Sequence, residues 1–579
     1  MGNGFVRRSP AAIGILGAVI WYSLVGCAAR EPIRPEAEER QYEPGSDGPA
    51  WFEDVTDRVG LDFVHDAGPT GNYPMTQVIG SGGAFFDCDG DGLLDIYLIQ
   101  NGGPGSKAVN RLFRQQPGGT FTDITEGSGL GVAGFGMGVA IGDVNNDGKP
   151  DILLTQYGGV RLFLNLGGGK FADVTEEAGL VNPLWATSAA FLDYDRDGWL
   201  DLVVVNYIDI DPGVSCTRLN GARDFCAPNS GRDTSPKLFR NAGPGTRRVS
   251  FEDVSLATGV GTVPGPGLGV LCGDFNGDGW PDIFIANDAK PNRLWINQQG
   301  RTFTEEAVPR GVAYTAAGKA FAGMGVAAGD VANDGLADLF VAHLTNETNT
   351  LWKQGPRGQF RDESAGRGLT GTRWRGTGFG TVMADFDHDG FLDIAIVNGR
   401  VTRGEPADAG AGTSFWGPYA ERNQLLANRG DGRFADVSQR NPAFCATRNV
   451  GRGLAVGDFD NDGAPDLLVT TIGGRARLFR NVAPNRGHWL KVRAVDPRLN
   501  RDAYGAEVIV RAGDRRWVRW VNPAGSYLSS SSPVAHFGLG TTGQVTAIEV
   551  LWPDGLRETF PGGPPDRTIE LRRGTAPAP

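Results

Sequence analysis

Short apolar runs rich in Val, Ile, Leu and Phe recur along this chain between glycine-rich turns. Gly138-Val-Ala-Ile-Gly142, Ile152-Leu-Leu-Thr155 and Leu202-Val-Val-Val-Asn206 are examples. Runs of this length bounded by turn residues predict β-strands, and no long stretch keeps the 3.6-residue period of a helix. Four strand types follow one another in a fixed order. A small-residue strand leads into an acidic loop, and a second apolar strand leaves it. A third carries Leu-Phe-x-Asn character, at Leu162–Asn165, Leu238–Asn241, Leu294–Asn297 and Leu478–Asn481. A fourth reads Phe-x-Asp-Val-Thr, at Phe121–Thr125, Phe171–Thr175, Phe251–Ser255 and Phe434–Ser438, with weaker versions at Phe303 and Phe360.

Four short strands repeated at a period of roughly 50 residues predict the blades of a β-propeller. The acidic loops count seven blades. The fourth-strand signature also stands at Phe52-Glu-Asp-Val-Thr56, ahead of the first loop, while the last loop lacks one behind it. The N-terminal strand is therefore expected to complete the last blade, removing two sheet edges at once. Extra residues between second and third strands, near Asp209–Pro236 and Arg400–Arg422, belong on the rim opposite the acidic loops. The segment after the ring alternates apolar and polar residues, which predicts a small β-sandwich-like unit. The expected fold is all-β: a seven-bladed propeller with a C-terminal β-sandwich-like domain. Its organisation is signal peptide 1–26, tether 27–50, propeller 51–484 and C-terminal domain 485–575.

The acidic loops follow Asp-x-[Asp/Asn]-x-Asp-Gly-x-x-Asp. Their candidate metal ligands are Asp87, Asp89, Asp91 and Asp95; Asp143, Asn145, Asp147 and Asp151; Asp193, Asp195, Asp197 and Asp201; Asp274, Asn276, Asp278 and Asp282; Asp330, Asp334 and Asp338; Asp385, Asp387, Asp389 and Asp393; and Asp458, Asp460, Asp462 and Asp466. Ca²⁺ takes six to eight oxygens, and carboxylates on alternate residues of a tight loop supply them. Up to seven Ca²⁺ ions are expected. Ala332 offers no oxygen at position 3, so the Asp330 site should be weak or empty. The bland alternative for each loop is an Asp/Gly hairpin capped by its own side chains.

The loops also explain the charge. They hold 25 aspartates, against 67 acidic and 55 basic residues and a net charge of -12 in all. Acidity confined to loops gives no case for a nucleic-acid partner. At the N-terminus, Arg7 and Arg8 precede the apolar run Ala11–Val25, which leads into Leu24-Val25-Gly26-Cys27. That pattern reads as an export signal. It resembles a lipobox, with Cys27 lipidated and the protein held on a membrane of the cell envelope. An uncleaved anchor, or cleavage after Ala28 or Ala29, stays open. Export permits disulfides, and Cys216 with Cys226 is the best pair.

The repeats resemble FG-GAP/VCBS repeats, as in the integrin α-subunit propeller, whose loops bind Ca²⁺. Asn485–Arg493, Asn500–Ala506, Ser526-Tyr-Leu-Ser529, His536–Gly540 and Val550–Gly555 resemble the ASPIC/UnbV domain. The combination is similar to bacterial relatives of the cartilage acidic protein family.

The histidines are His65, His343, His388, His488 and His536, and none lies in a hydrolase motif. His388, inside an acidic loop at a non-ligand position, is expected to be solvated. The expected function is a monomeric binding module for a glycan or cell-surface protein. It would use the face opposite the acidic loops, where Asn206, Tyr207, Asn287, Asp288, Asn292, Arg293, Asn346, Trp374, Asn398 and Trp416 fall. A Ca²⁺-dependent polysaccharide-active, lyase-like enzyme and an envelope assembly factor are the alternatives.

Overall fold

The computed structural model describes residues 1, 2, 4, 48–218, 220–243, 249–404 and 414–577. The apolar run 11–25, Cys27 and the tether as far as residue 47 lie outside them. The chain divides after Glu39, and the unit Arg40–Pro579 carries all of the described strands.

That unit contains seven successive four-stranded antiparallel sheets, the first of them extended by two short strands, Ala524–Gly525 and Ser529–Ser530. Their first strands are Gly83–Phe86, Gly136–Gly142, Ala186–Leu192, Gly267–Gly273, Val326–Gly329, Gly378–Ala384 and Gly451–Gly457. Each first strand contacts the next in chain order, and the seventh contacts the first. The sheets therefore close into a ring, and the fold is an all-β propeller. Each sheet packs between two others, so its central strands bury both faces. This is why Asp201–Asn206, Asp282–Asn287 and Asp393–Asn398 are buried along their whole length. They read as continuous apolar runs instead of alternating ones.

The seventh sheet takes its fourth strand from the N-terminus. Phe52–Asp54 pairs antiparallel with Arg477–Asn481, setting Phe52 opposite Asn481. Trp51 donates its backbone N–H to Asn441 Oδ1 at 2.7 Å. The Phe-x-Asp-Val-Thr signature has a local cause. Its Asp accepts the N–H two residues on, and its Ser or Thr hydroxyl accepts a third-strand N–H, as in Thr56 Oγ1 to Leu478 N and Thr125 Oγ1 to Leu112 N.

The C-terminal domain has two four-stranded sheets. One holds His488–Asp496, Arg501–Asp502, Ala535–Gly540 and Arg567–Arg572; the other holds Glu507–Ala512, Arg515–Trp520, Val545–Leu551 and Arg557–Gly563. Trp517, Phe537, Ile548 and Trp552 fill the space between them. The domain does more than pack after the ring. Its segment 522–531 enters the ring and bonds the first strand of every sheet. Ser529 Oγ accepts from Gly83 N, Leu528 O from Val139 N, and Asn522 Nδ2 donates to Cys272 O. Leu528 N donates to Ser188 Oγ, and Ser526 exchanges backbone bonds with Val326. Ser526 Oγ accepts from Thr381 N and Ser531 Oγ from Val456 N. At the tip, fully buried Tyr527 donates its hydroxyl to Ile79 O at 2.9 Å. Ser526 and Leu528 hold φ of 60° and 54°, a strained turn offset by these bonds. Gly82 permits the approach, since a Cβ there would lie 1.7 Å from Leu528 O.

Above Tyr527 the hub is filled by the short helix Met75–Ile79, Tyr207, Phe379 and Tyr419. Arg452, fully buried, lies over the Phe379 ring at 3.8 Å and donates to the carbonyls of Val78 and Gly399. Its surroundings offer carbonyls for hydrogen bonds, and burial lowers its pKa to about 9.

Deleting residues through Asp57 removes Trp51, Phe52 and Val55, which are all buried. Thermal unfolding followed by circular dichroism should show one cooperative transition at a markedly lower midpoint. An unchanged main transition with a small early phase would mean that the strand only frays. The single change Phe52→Ala should cost about 3–5 kcal/mol.

Candidate functional site: the acidic loops

Each acidic loop joins the first and second strands of its sheet, and all seven share one conformation. The residue at position 4 is left-handed in every loop: Gly90, Asn146, Arg196, Gly277, Asn333, His388 and Asn461 all have positive φ, as do the seven position-6 glycines. Asn bears this backbone better than most residues because its side chain bonds locally.

The aspartates hold the loop by backbone hydrogen bonds. At position 1, Oδ2 accepts the position-6 glycine N–H in all seven loops. At position 5, Oδ1 accepts the position-7 N–H. At position 9, Oδ2 accepts the position-2 N–H of its own loop. Its Oδ1 accepts an N–H from the third strand, at Gln115, Asn165, Asn241, Asn297, Gln354, Asn428 or Asn481. These seven amide residues also link the sheets. Each side chain donates to the position-2 carbonyl of the preceding loop: Asn165 to Cys88, Asn241 to Val144, Asn297 to Tyr194, Gln354 to Phe275, Asn428 to Val331, Asn481 to Phe386 and Gln115 to Phe459. The last bond closes the circle between first and seventh sheets.

Hydrogen bonding leaves lone pairs free, since a carboxylate offers about four acceptor positions. Ligand oxygens converge within 4.8 Å in four loops: Asp87, Asp89 and Asp95; Asp193, Asp195 and Asp197; Asp385, Asp387 and Asp393; Asp458, Asp460 and Asp466. In three of these an oxygen is buried with no hydrogen-bond partner among the described residues: Asp89 Oδ1, Asp193 Oδ1 and Asp458 Oδ1. Burial, with neighbouring carboxylates adding to it, pushes Asp193 and Asp389 up to about 6. Convergent, oxygen-only carboxylates, three of the clusters holding a buried orphan oxygen, fit a hard divalent cation. The Asp143 and Asp274 loops substitute Asn145 and Asn276 at position 3 and keep the same hydrogen bonds.

Third-strand cations adjust the charge. Arg240 bonds Asp195 and Asp197 at 2.6 and 2.8 Å, Arg480 bonds Asp460 and Asp462 at 2.5 and 3.2 Å, and Arg114 stands 3.6 Å from Asp89. The sheets of the two Asn-bearing loops carry Leu164 and Ile296 at the same third-strand position. A fourth carboxylate in these three loops is thus matched by an arginine. The sixth loop has four aspartates and no such arginine, its sheet carrying Ala427 at that position.

The C-terminal domain covers this rim with further cations. Lys491 Nζ lies 2.5 Å from Asp458 Oδ2, and buried Arg501 donates to Asn146 Oδ1 at 2.8 Å. A cavity of about 790 Å³ remains between ring and domain. His388 is correspondingly buried, against the expectation that it is solvated. Its Nδ1 meets Gly487 O at 3.2 Å, and burial lowers its pKa to about 4. His536 is half-buried, with Nε2 2.8 Å from Gly463 O.

On the opposite rim several residues expected to face a ligand are structural. Asn206, Tyr207, Asn287, Trp374 and Asn398 are buried. The three asparagines donate to the carbonyls of Ser235, Pro291 and Arg422, closing the second-to-third turns. The insertions themselves come together. Cys216 and Cys226 are disulfide-bonded. Buried Asp224 accepts from Tyr419 Oη at 2.6 Å and from Arg403 N at 3.0 Å, and pairs with Arg218. Above this clamp, Phe225 and the half-buried Trp416 stack at 5.9 Å with their planes 8° apart, flanked by Phe415 and Tyr73.

FG-GAP-like repeats match residues 87–154, 143–204, 274–341, 330–396 and 414–469, and the ASPIC and UnbV family matches residues 496–578. Mouse cartilage acidic protein 1 is 28% identical over 317 residues, 53% of this chain and 45% of that protein. The human protein is 28% identical over 343 residues, 57% of this chain and 48% of that protein. The chain thus spans about half the length of these relatives. Among solved structures, an Agrocybe aegerita lectin described as recognising non-reducing terminal N-acetylglucosamine aligns at TM-score 0.35 and 16% identity, over 62% of this chain and 79% of that one. The repeats, their phase and the domain that follows them place this chain in the FG-GAP-like repeat family, with a C-terminal ASPIC and UnbV domain.

Proposed function

We propose that this protein is an exported, calcium-stabilised binding module, held at the cell envelope through Cys27, that presents the insertion-bearing rim to a glycan or a cell-surface protein. One observation carries the choice of rim. The C-terminal domain covers the acidic-loop side and sends Tyr527 into the ring, so a partner has the opposite side to meet. There the half-buried Trp416 and Phe415 pack on buried Phe225 over a disulfide-braced base, with Arg223 exposed beside it. Aromatic faces stack on apolar sugar faces, and large rigid rings dominate most binding surfaces. Asp224 does not serve an enzyme reading: its oxygens are consumed by Tyr419, Arg403 and Arg218. The filled hub favours a second reading, an envelope assembly factor whose partner is a protein.

The calcium would be held by the side chains at positions 1, 3, 5 and 9 and by the position-7 carbonyl, acting as scaffold. Extracellular sites of this kind bind at about 10⁻⁴–10⁻³ M. A site filled at about 100 times its Kd contributes about 2.7 kcal/mol. Excess EDTA should therefore lower the melting temperature, with recovery on adding Ca²⁺ and not Na⁺. An unchanged melting temperature would sink the calcium reading.

Among the described residues no helix is long and apolar enough to cross a membrane, which says nothing of a β-barrel. Cys27→Ser should move the protein from the membrane to the soluble fraction of cells. Retention at the membrane would refute the lipid anchor.

A glycan array probed with the intact protein in Ca²⁺ should give specific hits that weaken about tenfold or more in Trp416→Ala, a loss of about 1.4 kcal/mol or greater. An array blank for the wild type in Ca²⁺ and in EDTA would refute the glycan version and leave the protein partner.

A further inference from the structure

The fifth acidic loop differs from the other six in two ways that answer each other. Ala332 stands where the others carry Asp or Asn at position 3. In the same sheet the third strand, Thr350–Gly355, carries Lys353 at the position held elsewhere by Arg114, Leu164, Arg240, Ile296, Ala427 and Arg480.

Lys353 does not do what the arginines do. Arg240 and Arg480 bond outer oxygens at positions 3 and 5, and neither bonds the position-9 aspartate of its loop. Lys353 Nζ lies 2.8 Å from Asp334 Oδ2, 3.0 Å from Asp334 Oδ1 and 2.9 Å from Asp338 Oδ1. It therefore bridges positions 5 and 9, two members of the ligand set that a metal would draw together. Its side chain is 11% exposed, and Asp338 is fully buried. An ammonium is a compact point charge with three donors, suited to a small oxygen cage. The donor set fits a divalent ion poorly: one ligand is gone and a fixed cation stands between two of the rest.

We infer that the fifth loop is a metal-free member of the ring, in which the ammonium of Lys353 takes the place of the divalent ion. This blade then keeps its order when the others are stripped of metal, and the chain binds at most six ions. The inference rests on the calcium reading of the remaining loops.

Hydrogen exchange of the intact protein, measured by mass spectrometry in Ca²⁺ and in EDTA, tests it. Peptides covering 143–151, 274–282 and 385–393 should exchange at least tenfold faster on chelation, while 330–338 changes less than twofold. Lys353→Met should speed exchange at 330–338 in both conditions. Ala332→Asp with Lys353→Leu should make that loop respond to chelation and add one bound Ca²⁺ by native mass spectrometry. A wild-type fifth loop that responds like the others overturns the replacement alone. No response in any loop overturns the calcium reading and the replacement with it. A Lys353→Met loop protected as in the wild type also overturns the replacement.

Discussion

The ring depends on a circle of seven side-chain amides. Each lies at or near the end of a third strand and donates to the position-2 carbonyl of the preceding loop. Propeller sheets otherwise meet face to face through apolar side chains, which fix distance but slide easily. A buried donor that must find one particular carbonyl fixes the register of sheet against sheet, because leaving it unpaired costs about 1–3 kcal/mol. The same position-2 residue gives its N–H to the position-9 aspartate. Neighbouring sheets are thus coupled through the acidic loop, and ordering one loop positions the next.

This arrangement explains why the aspartates serve two purposes. Their inner lone pairs bind backbone N–H groups and their remaining ones converge. The hairpin reading and the metal reading, which compete when a single loop is considered, describe the same carboxylates. The third-strand residue then sets what each loop demands. Arg240 and Arg480 relieve an extra carboxylate, Leu164 and Ile296 accompany loops that already have Asn, and Lys353 accompanies a loop that has lost a ligand.

Much of this was legible in the sequence because it is periodic. The acidic loops count the sheets, the stray signature at Phe52 announces the closure, and the insertions mark one rim. The amide circle was half visible. The Leu-Phe-x-Asn pattern stood out in four repeats, yet Gln115 and Gln354 hid two members and Leu425-Leu-Ala-Asn428 a third, and a bond to a backbone carbonyl in another repeat leaves no complementary residue to find. The entry of segment 522–531 was invisible for a related reason. Its partners are mostly backbone groups and serine hydroxyls, and it occurs once. His388 misled because its cover comes from Gly487 and His536, about a hundred residues and more away in the chain. The rim asparagines misled because a turn-closing Asn and a ligand-binding Asn look alike until the loop they close is seen.

The segment around Tyr527 has a consequence for how the molecule comes into being. Every first strand reaches it, and the strand at Phe52 must await Arg477–Asn481, so neither end of the chain can settle until the other has arrived. Contacts spanning most of the sequence make for slow folding, because loop closure must precede any gain in contacts. Until residue 531 has emerged, the nascent ring lacks partners for an N–H in five sheets and for Ser188 Oγ and Cys272 O in the other two. Segment 522–531, made after the strands of all seven sheets, is the pin on which those sheets converge.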